Sequence, residues 1–377
     1  MVPRSAVFDP KVVGIYHCFN QCVRQLFLLG DDPPTAVRNG RRQQMAVDEL
    51  RRLAGVMGIE VLDFALMDNH VHCVLRNRPD VVASWSSREA AGRWWVLCPG
   101  RRNRDGSPAE CTEEDLDRWA ADGEFIDMIR ERLSDISWFM WFWLGKIAKT
   151  ANAEDEKRGH FFAGRFKCKR LEDEGALLAC SMYTVLNPLR AGMVTEPEEY
   201  RFTSLSARVA GQMRRNQRAL GQEVTGEDPD AWLAALFLDE REALVDEAGQ
   251  PPSNPFPSPR LTEKGYLPMR LERYLLLLRW TQAQAGLPVA SVVPQELETI
   301  LTQLGLAPAL WLDTVCRFEE LFHYVVGRYE QMTLAAGRLS QRWLQGVREC
   351  ELRFGQKPGT GSSQAKSPTA SPPDSPG

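Results

Sequence analysis

Two apolar, β-branched-rich runs, IEVLDFALM (59–67) and HVHCVLRN (70–77), are separated only by the turn-forming pair Asp68-Asn69. So short a link joins two strands in one way, as an antiparallel hairpin. Residues 11–20 read as an earlier strand and 160–171 as a later one. Helical periodicity predicts helices over 41–56, 124–153 and 174–186. The middle of the second helix, Trp138 to Trp143, is apolar all round, which predicts burial on several sides. Pro188 disfavours α conformation at Asn187, so the third helix is expected to end or kink there. Residues 80–122 read as an inserted stretch of helix and loop.

Beyond residue 205 the character changes. Residues 206–262 contain an acidic segment (223–247) and a Pro/Ser linker, AGQPPSNPFPSPR (248–260). Helices are expected over 269–286, 294–305 and 309–354, making 263–355 an all-helical C-terminal domain. The tail, 356–377, is too polar to form a core and is expected to be disordered. At 377 residues and 44% apolar content, the chain as a whole is not a disordered one. No apolar run reaches bilayer length, and the first residues lack the apolar core of a secretory signal. A cytoplasmic protein with no membrane contact is the expectation. Nine cysteines without a C-x-x-C pair read as reduced thiols.

A net charge of −4 argues weakly against a nucleic-acid partner. Its distribution reverses that reading. Residues 223–247 hold nine acidic side chains and one basic, so the rest of the chain is positive. Between Lys157 and Arg170 lie six Lys/Arg and no carboxylate. A basic strip inside an acidic average is compatible with phosphate binding.

Three elements carry possible chemistry. The first is His70-Val71-His72. Alternation along a strand puts both imidazoles on one face, where they can share a divalent ion. Alone, such a pair is more ordinarily two histidines satisfied by backbone or solvent. The second is Tyr183 with Asn187, one helical turn apart and so on one face. Its bland reading is a half-buried tyrosine and an asparagine at a helix end. The third is Arg165-Phe166-Lys167. These cations can bind phosphates, and Phe161, Phe162 and Phe166 can stack on bases; equally, the stretch can be a solvated strand face. Glu60 and Asp63 are further, weaker candidates for metal neighbours. Asp68 is either a solvated turn residue or an outer partner of the metal.

In this order the three elements resemble one family: the HUH-type single-tyrosine transposases of the insertion-sequence-200-like class, including the REP-associated tyrosine transposases. The resemblance rests on Tyr16-His17-Cys18 followed by Cys22-Val23-Arg24, on Met67-Asp68-Asn69-His70-Val71-His72, on Gly159 through Lys167, and on Tyr183 through Gly192. It covers about residues 8–205, with an insertion near 80–155. It implies an α+β fold with a ferredoxin-like antiparallel sheet and packed helices. It also implies cleavage and rejoining of single-stranded or hairpin DNA by Tyr183, through a 5′-phosphotyrosine link. A divalent ion, Mg²⁺ or Mn²⁺, would be held by His70, His72 and Asn187. DNA contacts would fall to Arg165, Lys167, Lys169, Arg170 and Arg190. A monomer or homodimer is the expected state. Two other readings compete. One is a domesticated DNA-binding protein of the same fold with weak or no cleavage. The other is a metal hydrolase, which has no use for Tyr183.

Overall fold

The computed structural model describes residues 7–29, 36–237, 260–284, 292–339, 341–342 and 344–355. Asp68-Asn69 turns the chain back on itself. Strand β2 (Ile59–Leu66) pairs antiparallel with β3 (His70–Asn77), Ala65 opposite His72, with one irregularity between Val61 and Asp63. Strand β1 (Gly14–Gln21) lies antiparallel between β3 and β4 (Lys167–Leu171), with Phe19 opposite both His72 and Lys167. At the edge, β5 (Val325–Val326) runs parallel to β4, giving the order β2-β3-β1-β4-β5.

That last strand corrects two expectations. The sheet is mixed rather than antiparallel throughout, and the C-terminal region is not all helical. The cause is the exposed ladder of β4. Arg170 N–H donates to Tyr324 O at 2.8 Å and Glu172 N–H to Val326 O at 2.9 Å, satisfying groups an open edge would leave bare.

The helices are α1 (Ala36–Val56), α2 (Pro79–Ser84), α3 (Ser87–Leu97), α4 (Glu113–Ala120), α5 (Gly123–Leu133) and α6 (Ile136–Glu154). After β4 come α7 (Glu174–Val185), α8 (Asn187–Arg190), α9 (Ser204–Ala219), α10 (Leu271–Gln284) and α11 (Gln295–Gln303). The last are α12 (Trp311–Cys316), α13 (Phe318–Leu321), α14 (Tyr329–Arg338) and α15 (Val347–Arg353).

Alternation along the strands sends the two faces of the sheet to separate cores. Tyr16, Cys18, Val71 and Cys73 pack with Leu50 and Leu53 of α1 and with Phe139 and Trp143 of α6. Leu62 and Val74 pack on the other side with Leu178 and Met182 of α7, Leu277 of α10 and Phe318 of α13. The C-terminal helices therefore close over the same face that α7 covers.

Three further expectations need correcting. The single helix over 124–153 is two, because Asp135 caps α6 by accepting from the backbone N–H groups of Ser137 and Trp138. The helix middle is not buried all round: Trp141 is 63% exposed. The strand expected over 160–171 begins only at Lys167. Phe161, Phe162 and Phe166 are buried at positions that do not alternate, which anchors 160–166 as a loop. Val23 N–H donates to Phe161 O and Ala163 N–H to Gln21 O, fixing that loop to the end of β1.

None of the nine cysteines forms a disulfide. Among the described residues no helix is long and apolar enough to cross a membrane. Part of the acidic segment is paired with basic side chains: Asp228 and Asp230 with Arg215, and Asp228 also with Arg218. Residues 238–259, with the remaining acidic segment and nearly all of the Pro/Ser linker, lie outside the described residues, as does the tail from 356.

Candidate active site

Pairing across β3, β1 and β4 places His72, Phe19 and Lys167 side by side, and period two adds His70, His17 and Lys169 to the same face. The His70 and His72 rings lie edge to face, with centroids 4.9 Å apart. Helix α7 brings Tyr183 over this face. Its ring meets His72 edge-on at 5.6 Å and stacks on Phe318 of α13 at 5.7 Å. Asp173 starts α7 as its N-cap, accepting from Ala176 N–H, and also accepts from Arg328 N–H. The helix is thus tied to the C-terminal region at its first turn.

One turn beyond Tyr183, Asn187 opens α8, and both residues reach a pocket of about 460 Å³. His70, His72, Arg165, Lys167 and Glu319 line it as well. These residues come from β3, β4, a loop, α7, α8 and α13 of one chain. Lining the pocket together, they bring within reach of each other a phenol, two imidazoles, an amide, a carboxylate and two cations.

Burial decides the protonation of the histidines. Desolvation pushes His17 down to about 3 and His72 well below its ordinary value, so both rings are neutral. His70 is lowered by burial too, less so because the charge of Glu319 and the side chain of Asn187 oppose it. His70 Nδ1 donates to Asn69 Oδ1 at 2.6 Å, which makes Nε2 the lone-pair nitrogen of the neutral ring. His72 Nδ1 and His17 Nε2 share a hydrogen bond at 3.0 Å. When His72 is the donor in that bond, its Nε2 is free to ligate. His17 Nδ1 then carries an N–H that has no protein partner.

A divalent ion fits this donor set in its chemistry. In that tautomer each imidazole has one nitrogen held by a neighbour and a lone pair on the other, the arrangement that orients histidine ligands. The Asn187 amide nitrogen is buried without a hydrogen-bond partner, while the same side chain also meets His70. Among the described residues no three His, Cys, Asp or Glu side chains form a metal cluster. A set of two imidazole nitrogens and one amide oxygen would suit Mn²⁺ better than Mg²⁺.

The nucleophile candidate is held differently. Tyr183 Oη donates to Glu319 Oε2 at 2.8 Å, and only 6% of the residue is exposed. Burial raises the phenol pKa well above its ordinary value, and the neighbouring Glu319 charge raises it further. Arg190 lies over the Tyr183 ring at 5.0 Å and acts in the opposite sense.

The five expected DNA-binding cations divide. Arg165 and Lys167 are exposed at the pocket and Arg190 is exposed beside Tyr183. Lys169 and Arg170 turn inward, contrary to expectation. Lys169 Nζ donates to Glu319 O at 2.8 Å and to Phe322 O, and desolvation lowers its pKa to about 8. Arg170 pairs with Glu172 and donates to Tyr16 Oη. For Lys169 the physical reason is that the C-terminal segment covers that end of β4, whereas Arg170, on the opposite face, is held by Tyr16 and Glu172.

Glu60 and Asp63 are not metal neighbours. Glu60 is buried against Arg76 and Thr262, and Asp63 accepts from Ser181, Ser204 and Tyr266. Asp68 accepts from Gln43 at 3.3 Å. Two members of the site carry no signal in the sequence. His17 lies within Tyr16-His17-Cys18, where nothing gives it a role, and nothing near Glu319 marks it.

No family model matches the chain. No curated protein matches it either. A solved structure of a REP-associated tyrosine transposase bound to a REP hairpin is similar at 12% identity, covering 57% of this chain and 86% of that one, with a TM-score of 0.29. The functional reading rests on the geometry of the site itself.

Proposed function

We propose that the chain is a transposase that cleaves and rejoins single-stranded or hairpin DNA, with Tyr183 as nucleophile. The observation that carries this reading is the shared pocket. A phenol that is one turn from an asparagine has no structural need to stand against two neutral histidines. As support for the fold, the order β2-β3-β1-β4 with helices between is that of a ferredoxin-like sheet.

In the proposed reaction Tyr183 Oη attacks a backbone phosphorus. The Oη–P bond forms, the P–O3′ bond breaks, and the DNA downstream stays on the protein as a 5′-phosphotyrosine. Free tyrosine, with a pKa of about 10, is a poor nucleophile at neutral pH, and burial makes Tyr183 poorer. Glu319 Oε2 already accepts its hydrogen bond and is placed to take the proton. Arg190 offsets part of the charge on the phenolate. Arg165 and Lys167 hold the flanking phosphates. His70, His72 and Asn187 would hold a divalent ion, which when bound polarises the scissile phosphate. The covalent link conserves the bond energy, so the 3′-hydroxyl can reverse the step without a nucleotide cofactor.

The hydroxyl's burial against Glu319 favours a second reading, a DNA-binding protein of this fold with little cleavage. Tyr183→Phe separates the two. On the first reading it abolishes cleavage and keeps DNA binding; on the second, wild type and variant behave alike.

A further inference from the structure

Beside the pocket runs a second, larger groove of about 720 Å³, between α6 and the loop 159–166. We propose that it binds unpaired bases of single-stranded DNA next to the bond cut at Tyr183. This inference depends on the function proposed above for its location, but not for its measurement.

Four observations point to that occupant. Trp138 and Trp141 line the groove from α6, their centroids 5.5 Å apart, and Trp141 is 63% exposed. An indole left in water offers a stacking platform that every base can use. Gly145, in the interior of α6, lines the groove too, and a Cβ there would meet nothing within 4 Å. Close packing therefore does not require this glycine. It costs helix stability relative to alanine and leaves space open to the outside. Third, Asn20, Gly164 and Arg165 line both the groove and the pocket, so a strand leaving Tyr183 enters the groove directly. Finally, the loop wall carries a cation for a polyanion: Arg165 is exposed there.

The test is binding of the full chain to a fluorescently labelled oligothymidylate, followed by anisotropy at fixed salt. Trp141→Ala and Gly145→Leu should each weaken binding roughly 5- to 150-fold, the loss of about one stacked base. Trp141→Phe, which keeps a ring, should recover most of the affinity, and Gly145→Ala should bind like wild type. On an oligonucleotide of abasic sugar-phosphates the variants and wild type should bind equally. Unchanged affinity in Trp141→Ala and Gly145→Leu, or equal weakening on the abasic strand, would overturn the proposal. So would a shift of Trp141→Ala from dimer to monomer in sedimentation with DNA binding intact, since a second copy would then be the occupant. Covalent trapping on wild type is scored separately. Trapping without a groove effect removes this proposal alone, and a groove effect without trapping removes only the strand-transfer reading.

Discussion

Tyr183 and Glu319, separated by 136 residues, share a hydrogen bond of 2.8 Å in which the phenol donates to the carboxylate. That bond joins the helix carrying the proposed nucleophile to the C-terminal region. It also stabilises the neutral phenol. Glu319→Gln removes both the negative charge and the proton acceptor. The Tyr183 phenol should then titrate at lower pH, read as the tyrosinate absorbance difference against Tyr183→Phe. Cleavage at neutral pH should fall about 10²- to 10⁴-fold, as for loss of a general base. A rise in cleavage would mean that Glu319 restrains the phenol and takes no proton from it.

The neutral histidines make stability depend on pH. For His17 the folded pKa is depressed to about 3 from 6.5, so the unfolded chain binds the extra proton between those values. Its contribution is complete above 6.5 and is lost as pH falls toward 3. His72 shifts in the same direction. Denaturant melts between these limits should show stability falling with acid. His17→Gln should flatten the slope by up to about 1.4 kcal/mol per pH unit. An unaltered slope would mean that His17 is not buried neutral.

The split among the cations gives a salt test. Arg165→Ala with Lys167→Ala should weaken single-strand binding and reduce the log–log salt slope by about 0.7 for each phosphate no longer neutralised. Lys169→Gln should leave that slope unchanged and lower thermal stability instead, because its ammonium is engaged by the Glu319 and Phe322 carbonyls. A slope that responds to Lys169 and not to Lys167 would contradict the placement.

Much of this site is legible from local pattern. Two-residue alternation alone puts His70 and His72 on one face, and the shortness of Asp68-Asn69 alone dictates the hairpin. Helical spacing likewise joins Tyr183 to Asn187. What stays hidden depends on meetings between residues distant in sequence. His17 meets His72 across 55 residues, and no periodicity reports such a meeting. Lys167 and Lys169 share a face and differ only because the chain near Phe322 roofs one of them. Loop 160–166 misleads for a related reason: its phenylalanines are anchors for a turn, and their content resembles a strand.

Glu60 offers a check on the fold apart from the chemistry. It is buried with Arg76 at 2.5 Å, and removing one partner of such a pair strands the other charge. Glu60→Ala should cost about 3–5 kcal/mol by denaturant unfolding. Metal affinity of the folded fraction should not change. A loss of metal binding with stability intact would return Glu60 to the site.

A nucleophilic Tyr183 leaves products that can be trapped. A pool of hairpin-bearing single strands with randomised flanks, labelled at the 3′ end, is incubated with the full chain and Mn²⁺, denatured, and digested with protease and nuclease. The expected result is label that survives denaturation and a nucleotide 5′-phosphate on the peptide containing Tyr183, absent from Tyr183→Phe and from His70→Ala. Strands cut to a free 5′-phosphate, with none attached to Tyr183 and equal cutting by Tyr183→Phe, would contradict it and leave water as the nucleophile.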